Sequence, residues 1–278
     1  MPAKRQAAMT RPTTICVINQ KGGCGKSTTC FHLAGHFAQT GWRVLLVDAD
    51  PQGSLSQGFF GSEVVETLEP GKTLAALFDS ESLASHELCP LQTPISHLHL
   101  LPANQTLAQY NFPTPESVGL TQFALQLYLE RMVEYDLVIV DCPPNLYLCS
   151  WAAMLSADYV LIPVPPEDFG TQGLRAVHLA IESAKLLNPE LQLLGHLITR
   201  SDKRLLVHAA YERQLRCLYG PQVLNTVVPE ASAFKVALAC RTPVGVYAPR
   251  SKAALVTAML GDELVGRMGE RTIRQVSA

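Results

Sequence analysis

Hydrophobic positions along this chain fall into two rhythms. Short, nearly continuous apolar runs occur at "TTICVIN", "RVLLVDAD", "HLHLLPA", "DLVIVDCPP", "YVLIPVPP" and "LLGHLITR", with a shorter one at "NTVVP". These runs are strand-sized and rich in aliphatic residues, and turn-forming Pro, Asp or Asn residues flank many of them, so they read as buried strands. Between them apolar residues return at helical spacing: first Cys30, Leu33, Ala34, Phe37 and Ala38, as far as Gly41, then within residues 117–134, 146–156, 170–187 and 204–219. Strands apolar on both faces that alternate with helices predict an α/β fold, a mostly parallel twisted sheet with helices on both faces. Ligands of such a sheet bind at the carboxyl ends of its strands, and acidic residues cluster there. The stretch Phe60 to Pro94, with its Gly, Ser, Glu and Pro content, reads as the most irregular excursion.

The chemistry starts in "NQKGGCGKSTT", residues 19–29. The pattern GxxxxGK[ST] is met at Gly25, Lys26 and Ser27, but its first glycine would fall on Gln20. The physics of a phosphate loop survives this miss. Gly22, Gly23 and Gly25 let the backbone curl and turn successive N–H groups towards an anion. Lys26 adds charge near the β and γ phosphates, Ser27 a hydroxyl for Mg²⁺, and the helix that starts here its positive end. The flanking strand and helix are the context that the motif needs. A second lysine, Lys21, stands five residues ahead of the first, and the local reading makes it one more cation near the phosphates.

Two further segments carry carboxylates at strand ends. "YDLVIVDCPP" delivers Asp141 opposite Ser27, and "VLLVDADPQGSLS" delivers Asp48 and Asp50 just before Pro51 and Gly53. Such acids can hold a metal-bound water and orient the water that attacks a γ-phosphate. Cys24 lies inside the loop, where a helix N-terminus would lower a thiol pKa. Its slot in the motif is variable, and no chemistry is assigned to it.

Composition narrows the picture further. The eight cysteines form no CxxC pair and no His/Cys cluster at ligand spacing, so they read as reduced, mostly buried thiols. No apolar run approaches the length of a membrane span. Residues 1–12, "MPAKRQAAMTRP", lack an apolar signal core and read as a flexible tail ahead of one domain over residues 13–278 of a cytoplasmic protein. The net charge of −2 is uneven: residues 1–199 carry 10 basic and 18 acidic side chains, net −8, and residues 200–278 carry 12 and 6, net +6. The C-terminal part is the candidate surface for a polyanion.

Taken in order, "NQKGGCGKSTT", "RVLLVDADPQGSLS", "LHLLPANQTLA", "YDLVIVDCPP", "YVLIPVPPEDFGTQGL" and "VVPEASAF…RTPVGVYAPRSKAA" resemble the ParA/Soj family of partition ATPases. That family belongs to the deviant P-loop class that also includes MinD and the nitrogenase iron protein, and "DPQG" is typical of its ParA branch. The resemblance implies a P-loop NTPase fold with ATP and Mg²⁺ as cofactors. Lys26 and the backbone of Gly22, Gly23, Cys24, Gly25, Lys26 and Ser27 would bind phosphate, and Thr28 would contact the α-phosphate. Ser27, Asp48 and Asp141 would form the Mg²⁺ shell, and Asp50 would position water. By the same resemblance Lys21 reaches across a nucleotide-sandwich homodimer to the partner's ATP, as an arginine finger does elsewhere. Thr199, Arg200 and Pro229 match family segments that contact the purine.

Family members bind DNA without sequence preference through C-terminal basic residues and act with a ParB-like adaptor that stimulates hydrolysis. Arg204, Arg250 and Lys252 stand at positions that remain basic here, but the family's "IPRNVRLSEAPS" reads "VPEASAFKVALA", with Glu230 and Ala233 where arginines are usual and Lys235, a further candidate DNA contact, two residues on. The implied role is chromosome or plasmid partition on the nucleoid. A MinD-like membrane switch would need a C-terminal helix with clear apolar and basic faces. Residues 253–274 interrupt that pattern with Gly261, Asp262, Glu263, Gly266 and Gly269 and read instead as a helix packed on the domain. A ParA-like protein that positions a cargo other than DNA would share the same ATPase site. A cofactor-insertion ATPase would need paired cysteines near the dimer interface; no such pair is apparent, although Cys142 and Cys149 leave that reading open.

Overall fold

In a computed structural model, residues 11–79, 88–166 and 171–269 are described. Seven strands form one sheet: β1 (Thr13–Val17), β2 (Val44–Asp48), β3 (Leu91–Gln92), β4 (Leu98–Leu101), β5 (Leu137–Asp141), β6 (Tyr159–Val164) and β7 (Gln192–Ile198), in the order β3-β4-β2-β5-β1-β6-β7. Six run parallel, and the short edge strand β3 pairs antiparallel with β4. The helices are α1 (Lys26–Gln39), α2 (Ser54–Phe60), α3 (Ser62–Glu66), α4 (Ala124–Leu129), α5 (Leu148–Ser156), α6 (Thr171–Ala184), α7 (Leu206–Tyr219), α8 (Ser232–Ala239), α9 (Val244–Tyr247) and α10 (Lys252–Met268).

The period-two alternation of each central strand divides the core. Cys16, Leu45, Val47, Val138 and Val140 face one side with α4, α5 and α6, while Ile15, Val17, Val44, Leu46 and Ile139 face the other with α1, α2 and α10. Both sides are apolar, and the central strands β1, β2 and β5 carry polar residues only at their ends. Those ends carry Asp48 and Asp141, which are register partners on β2 and β5. The loop after β1 emerges at the same edge, since Val17 pairs with Asp141.

Several expectations are corrected. "NTVVP" forms no strand; Pro229 makes a single bridge to Ser201, because the neighbouring backbone N–H groups are spent on β7 and on Glu263. The helix expected over 117–134 is mostly a 3₁₀ stretch, Pro115–Phe123, followed by the short α4, because Gly119 adopts φ 59° and breaks the helical path. The excursion Phe60–Pro94 contains α3, two short 3₁₀ turns and β3, and its residues 80–87 lie outside the described residues. Of the expected tail, residues 1–10 also lie outside them, but Arg11 is held by Asp158 at 2.6 Å. The terminal helix is α10, which ends at Met268 and buries Ala253, Leu260, Gly261 and Leu264; residues 270–274 of the expected span lie outside the described residues. Among the described residues no helix is long and apolar enough to cross a membrane.

One buried group gives the fold a pH dependence. His196 on β7 is fully buried, its Nε2 lies 3.0 Å from His178 Nε2, and its ring packs 4.3 Å from that of Tyr219. Burial first, and the His178 charge second, lower its pKa to about 4. The folded value lies below the ordinary one of about 6.5, so the neutral ring stabilises the fold above pH 6.5 and that contribution is lost as pH falls towards 4. At pH 5 the loss amounts to about 2 kcal/mol. Calorimetry should show the Tm difference between His196→Phe and wild type shifting in the variant's favour between pH 7 and 5; an unchanged difference would remove His196 from the account.

Candidate nucleotide and metal site

The loop between β1 and α1 is built before any ligand enters. Asn19 Nδ2 donates to the Pro163 carbonyl of β6 at 2.7 Å, and its Oδ1 accepts the Lys21 N–H at 3.0 Å. Gly25, at φ 92°, takes the left-handed turn that ends the loop and starts α1. From the far side Thr199 Oγ1 donates to the Cys24 carbonyl at 2.8 Å and Arg200 Nη1 to the Gly23 carbonyl at 2.9 Å. With those carbonyls drawn towards β7, the loop is held in one curvature. Lys26 is buried and its Nζ donates to the carbonyls of Asn19 (3.1 Å) and Lys21 (3.3 Å), so the amino group already lies over the loop. Lys21 is half-buried, and its ammonium enters no ion pair among the described residues.

The three acids divide their work. Asp50 lines the cavity and fixes its own turn by accepting the Gln52 N–H at 2.9 Å. Asp48 is fully buried beneath it: Oδ1 accepts the Asp50 N–H, and Oδ2 accepts both the N–H and the hydroxyl of Ser56, at 2.8 and 2.7 Å. Ser56 in turn accepts the Ala103 N–H at 3.0 Å, which ties α2 to the end of β4. Gly53 is required here, because at φ 62° a Cβ would stand 2.6 Å from the Ala103 carbonyl oxygen. Asp48 thus anchors the "DPQGS" turn. Asp141 differs, since both its oxygens are buried without a hydrogen-bond partner among the described residues.

Electrostatics mark the same spot. Burial pushes the Asp48 carboxyl up to about 7, with the Ser56 hydrogen bonds acting against it. Burial and then the neighbouring Asp48 push Asp141 well above the ordinary carboxylate range, with Ser27 and Lys26 acting the other way. Two adjacent buried carboxylates, one of them unpartnered, are poor core design until a cation joins them. Asp141 with the Ser27 hydroxyl supplies the hard oxygen ligands that suit Mg²⁺, so the residues present fit that ion. Cys24 departs from expectation: burial outweighs the adjacent Lys26 and raises its thiol pKa.

A cavity of about 420 Å³ opens above these groups. It is lined by Gly22 to Thr28, by Asp50, and across from them by Thr199, Arg200 and Pro229, so the sequence-predicted phosphate and purine residues meet around one space. Sequence reasoning missed Asn19 and Ser56, which stood inside the quoted motifs, and also His32 on the cavity wall; Glu230, read in the sequence as a replaced arginine, lines the cavity as well. His32 was legible as the residue one turn beyond Thr28 on the same helical face. Of the candidate DNA contacts, Lys235 also lines the cavity and pairs with Glu230 at 2.5 Å, which holds Arg200 at 3.1 Å as well. Arg204 is exposed but chelated by Asp202 at 2.6 Å, whereas Arg250 and Lys252 are exposed at the start of α10.

A parallel sheet whose first strand feeds a glycine loop, a buried lysine and a helix, with acids at the ends of two neighbouring strands, defines a P-loop nucleotide hydrolase. A family profile described as an AAA domain matches residues 12–193. The chain is 34% identical to the chromosome-partitioning ATPase Soj of Thermus thermophilus over 92% of its own length and 96% of that protein's. It is 32% identical to the chromosome partitioning protein ParA of Myxococcus xanthus, over 91% and 88%. Among solved structures, cobyrinic acid a,c-diamide synthase of Mycobacterium smegmatis with a bound ATP analogue and magnesium superposes with a TM-score of 0.73 at 27% identity, over 90% and 93%. The chain belongs to the ParA/Soj family of partition ATPases.

Proposed function

We propose that the chain hydrolyses ATP with Mg²⁺, dimerises when ATP binds, and as that dimer binds duplex DNA without sequence preference in order to position a chromosome or plasmid partition complex. The observation that carries the nucleotide part is Asp141, buried and unpartnered at the end of β5 beside Ser27 and Lys26. Mg²⁺ held by Ser27 and Asp141 would neutralise charge on the phosphates. Lys26 gives up its two carbonyls and turns its ammonium onto the phosphates, while the backbone N–H groups of residues 22–27 hold them in the loop. Asp50, whose turn is fixed through Asp48 and Ser56, orients the attacking water. Lys21 reaches the phosphates held by the second subunit, which makes dimerisation depend on the nucleotide.

DNA binding would rest on Arg250 and Lys252, with Arg204 and Lys235 as contributors restrained by Asp202 and Glu230. A dimer doubles the number of such contacts without new chemistry. Hydrolysis releases the pair and hence the DNA. The adaptor would be a ParB-like protein that stimulates hydrolysis, and the site of action the cytoplasm, on the nucleoid. Sedimentation with duplex DNA and no nucleotide, ADP, ATP or a non-hydrolysable analogue tests the reading: ATP alone should yield a salt-sensitive DNA-bound dimer, and Asp50→Ala should trap it. An ATP dimer that ignores DNA would overturn the DNA half.

Glu230 supplies a sharper test of the surface. It neutralises Lys235 and shares Arg200, so Glu230→Ala returns positive charge to this face. DNA affinity of the variant should rise, and its log–log salt dependence should steepen by about 0.9 for each additional phosphate neutralised. Equal slopes for variant and wild type would remove Lys235 from the interface.

A further inference from the structure

A second cavity, of about 310 Å³, lies among the 3₁₀ stretches Leu74–Leu77, Gln105–Tyr110 and Pro115–Phe123 and the first residue of α5. Three aromatic residues, Phe78, Tyr110 and Phe112, wall it together with Val118 and Leu148. Its volume falls near the lower end of the range for ligand pockets, about 300 Å³. Phe112 is 45% exposed and marks an open mouth, so an occupant enters as a side chain and leaves its own backbone outside. The one charged side chain among the described lining residues is that of Asp79. Burial first, and the Asp79 charge second, push the Tyr110 phenol above its ordinary pKa, so this carboxylate is near enough to act on the ring.

Charge and wall chemistry together define what fits. All lining residues but Leu148 come from residues 60–130, which hold eight acidic side chains and one basic one, Lys72. A cation is drawn to such a segment and an anion repelled. A hard metal ion would need several oxygen ligands, where this cavity offers mostly carbon. A guanidinium instead stacks flat on aromatic faces, lays its aliphatic stem along apolar side chains and forks onto a carboxylate. Arginine thus matches each kind of surface that the cavity presents.

The same cavity reaches the nucleotide site through one loop. The Leu148 N–H donates to the Phe112 carbonyl at 2.9 Å, and the Asn111 side chain accepts the Cys149 N–H at 3.1 Å. Asn111 Nδ2 also donates to Asn145 Oδ1 at 3.4 Å, and that oxygen accepts the Tyr147 N–H at 3.2 Å. These bonds hold the loop that joins Asp141 to α5, and Pro144 of that loop lines the nucleotide cavity. A side chain wedged between Phe112 and Leu148 would therefore press on a segment shared with the ATP site.

We propose that this second cavity docks an arginine side chain of a partner polypeptide, its guanidinium held between the aromatic rings and Asp79, and that occupation is felt at the nucleotide site through Asn111 and Asn145. The link to the nucleotide rests on the ATPase reading above; the docking itself does not.

N-acetyl-arginine methylamide is the probe, and its citrulline counterpart, neutral and of the same shape, is the control. In methyl-labelled wild type the arginine probe should shift the Val118 and Leu148 resonances and bind about tenfold more tightly than the citrulline probe, the scale of one charge-assisted hydrogen bond. In Asp79→Asn that preference should shrink to within about twofold, whereas Phe112→Ala should weaken both probes, since it removes a wall and no charge. Affinity for the arginine probe should also change by about twofold or more when Mg²⁺ and a non-hydrolysable ATP analogue are added, with a reciprocal change in affinity for the analogue. Equal binding of the two probes by wild type, or methyl resonances that neither probe moves, overturns the docking site without recourse to a variant that fails to fold. A preference for arginine that ignores the nucleotide overturns the link through Asn145 alone. A wild type that binds no ATP analogue overturns the ATPase reading while the probe titration stays readable, so the failures are distinct.

Discussion

Lys21→Ala is expected to leave nucleotide binding within a few-fold of wild type while it abolishes the ATP-dependent dimer and lowers the hydrolysis rate by about 10³-fold or more, the scale on which a charge supplied in trans acts on a phosphoryl-transfer transition state. Two features of the structure give this prediction its asymmetry. Among the described residues the Lys21 side chain holds nothing in its own subunit, since only its backbone is engaged, the N–H by Asn19 and the carbonyl by Lys26. Truncation at Cβ therefore spares the loop that cradles the phosphates. The same substitution at Lys26, which is buried and bonded within the loop, should instead weaken nucleotide binding itself. Sedimentation equilibrium with a non-hydrolysable analogue, next to a steady-state phosphate-release assay, separates the two. A Lys21→Ala protein that still dimerises on ATP would return Lys21 to the local role its position alone suggests.

Much of this arrangement was legible because buried parallel strands leave sequence little freedom. Four-residue apolar runs such as "LVIV" have no polar face to hide, so the acid that ends each run, Asp48 or Asp141, is placed at the sheet edge by the pattern alone. The glycine loop was legible for a similar reason: a positive φ at Gly25 and the close approach of Ala103 to Gly53 admit no other residue without strain. What stayed hidden depends on distant partners. Nothing local in "NTVVP" shows that its N–H groups are claimed by Glu263 on α10 and by β7, so a strand-like composition produced an irregular segment. Cys24 was misread because proximity to a helix N-terminus is visible in sequence and burial is not. Pairing of Glu230 with Lys235 and Arg200 likewise appears only when α8 is folded against the loop after β7.

Asp141→Asn is the second large effect, and its sign should differ between stability and activity. Wild-type Asp141 holds a carboxyl in a dry site, next to Asp48 and with no hydrogen-bond partner of its own among the described residues. An amide of the same shape removes the like-charge repulsion and the desolvation of a carboxylate, so without nucleotide the variant should melt at or above the wild-type temperature. Most substitutions of buried residues lower stability, so this direction is diagnostic. With Mg²⁺ and nucleotide at 100 times Kd, wild type should gain about 2.7 kcal/mol, and the variant should forfeit most of that gain if Asp141 contributes to the metal site. Hydrolysis should fall by about a thousandfold, since several kcal/mol of transition-state charge stabilisation goes with the metal. Differential scanning calorimetry with and without Mg²⁺ and nucleotide reads both halves at once. A variant that melts lower in the absence of ligand, yet responds to Mg²⁺ and nucleotide as wild type does, would make Asp141 a structural residue and shift the metal to other oxygens. The predicted crossover, more stable alone and unresponsive to ligand, would mean that the sheet keeps a destabilising carboxylate in its core because the reaction needs a cation there.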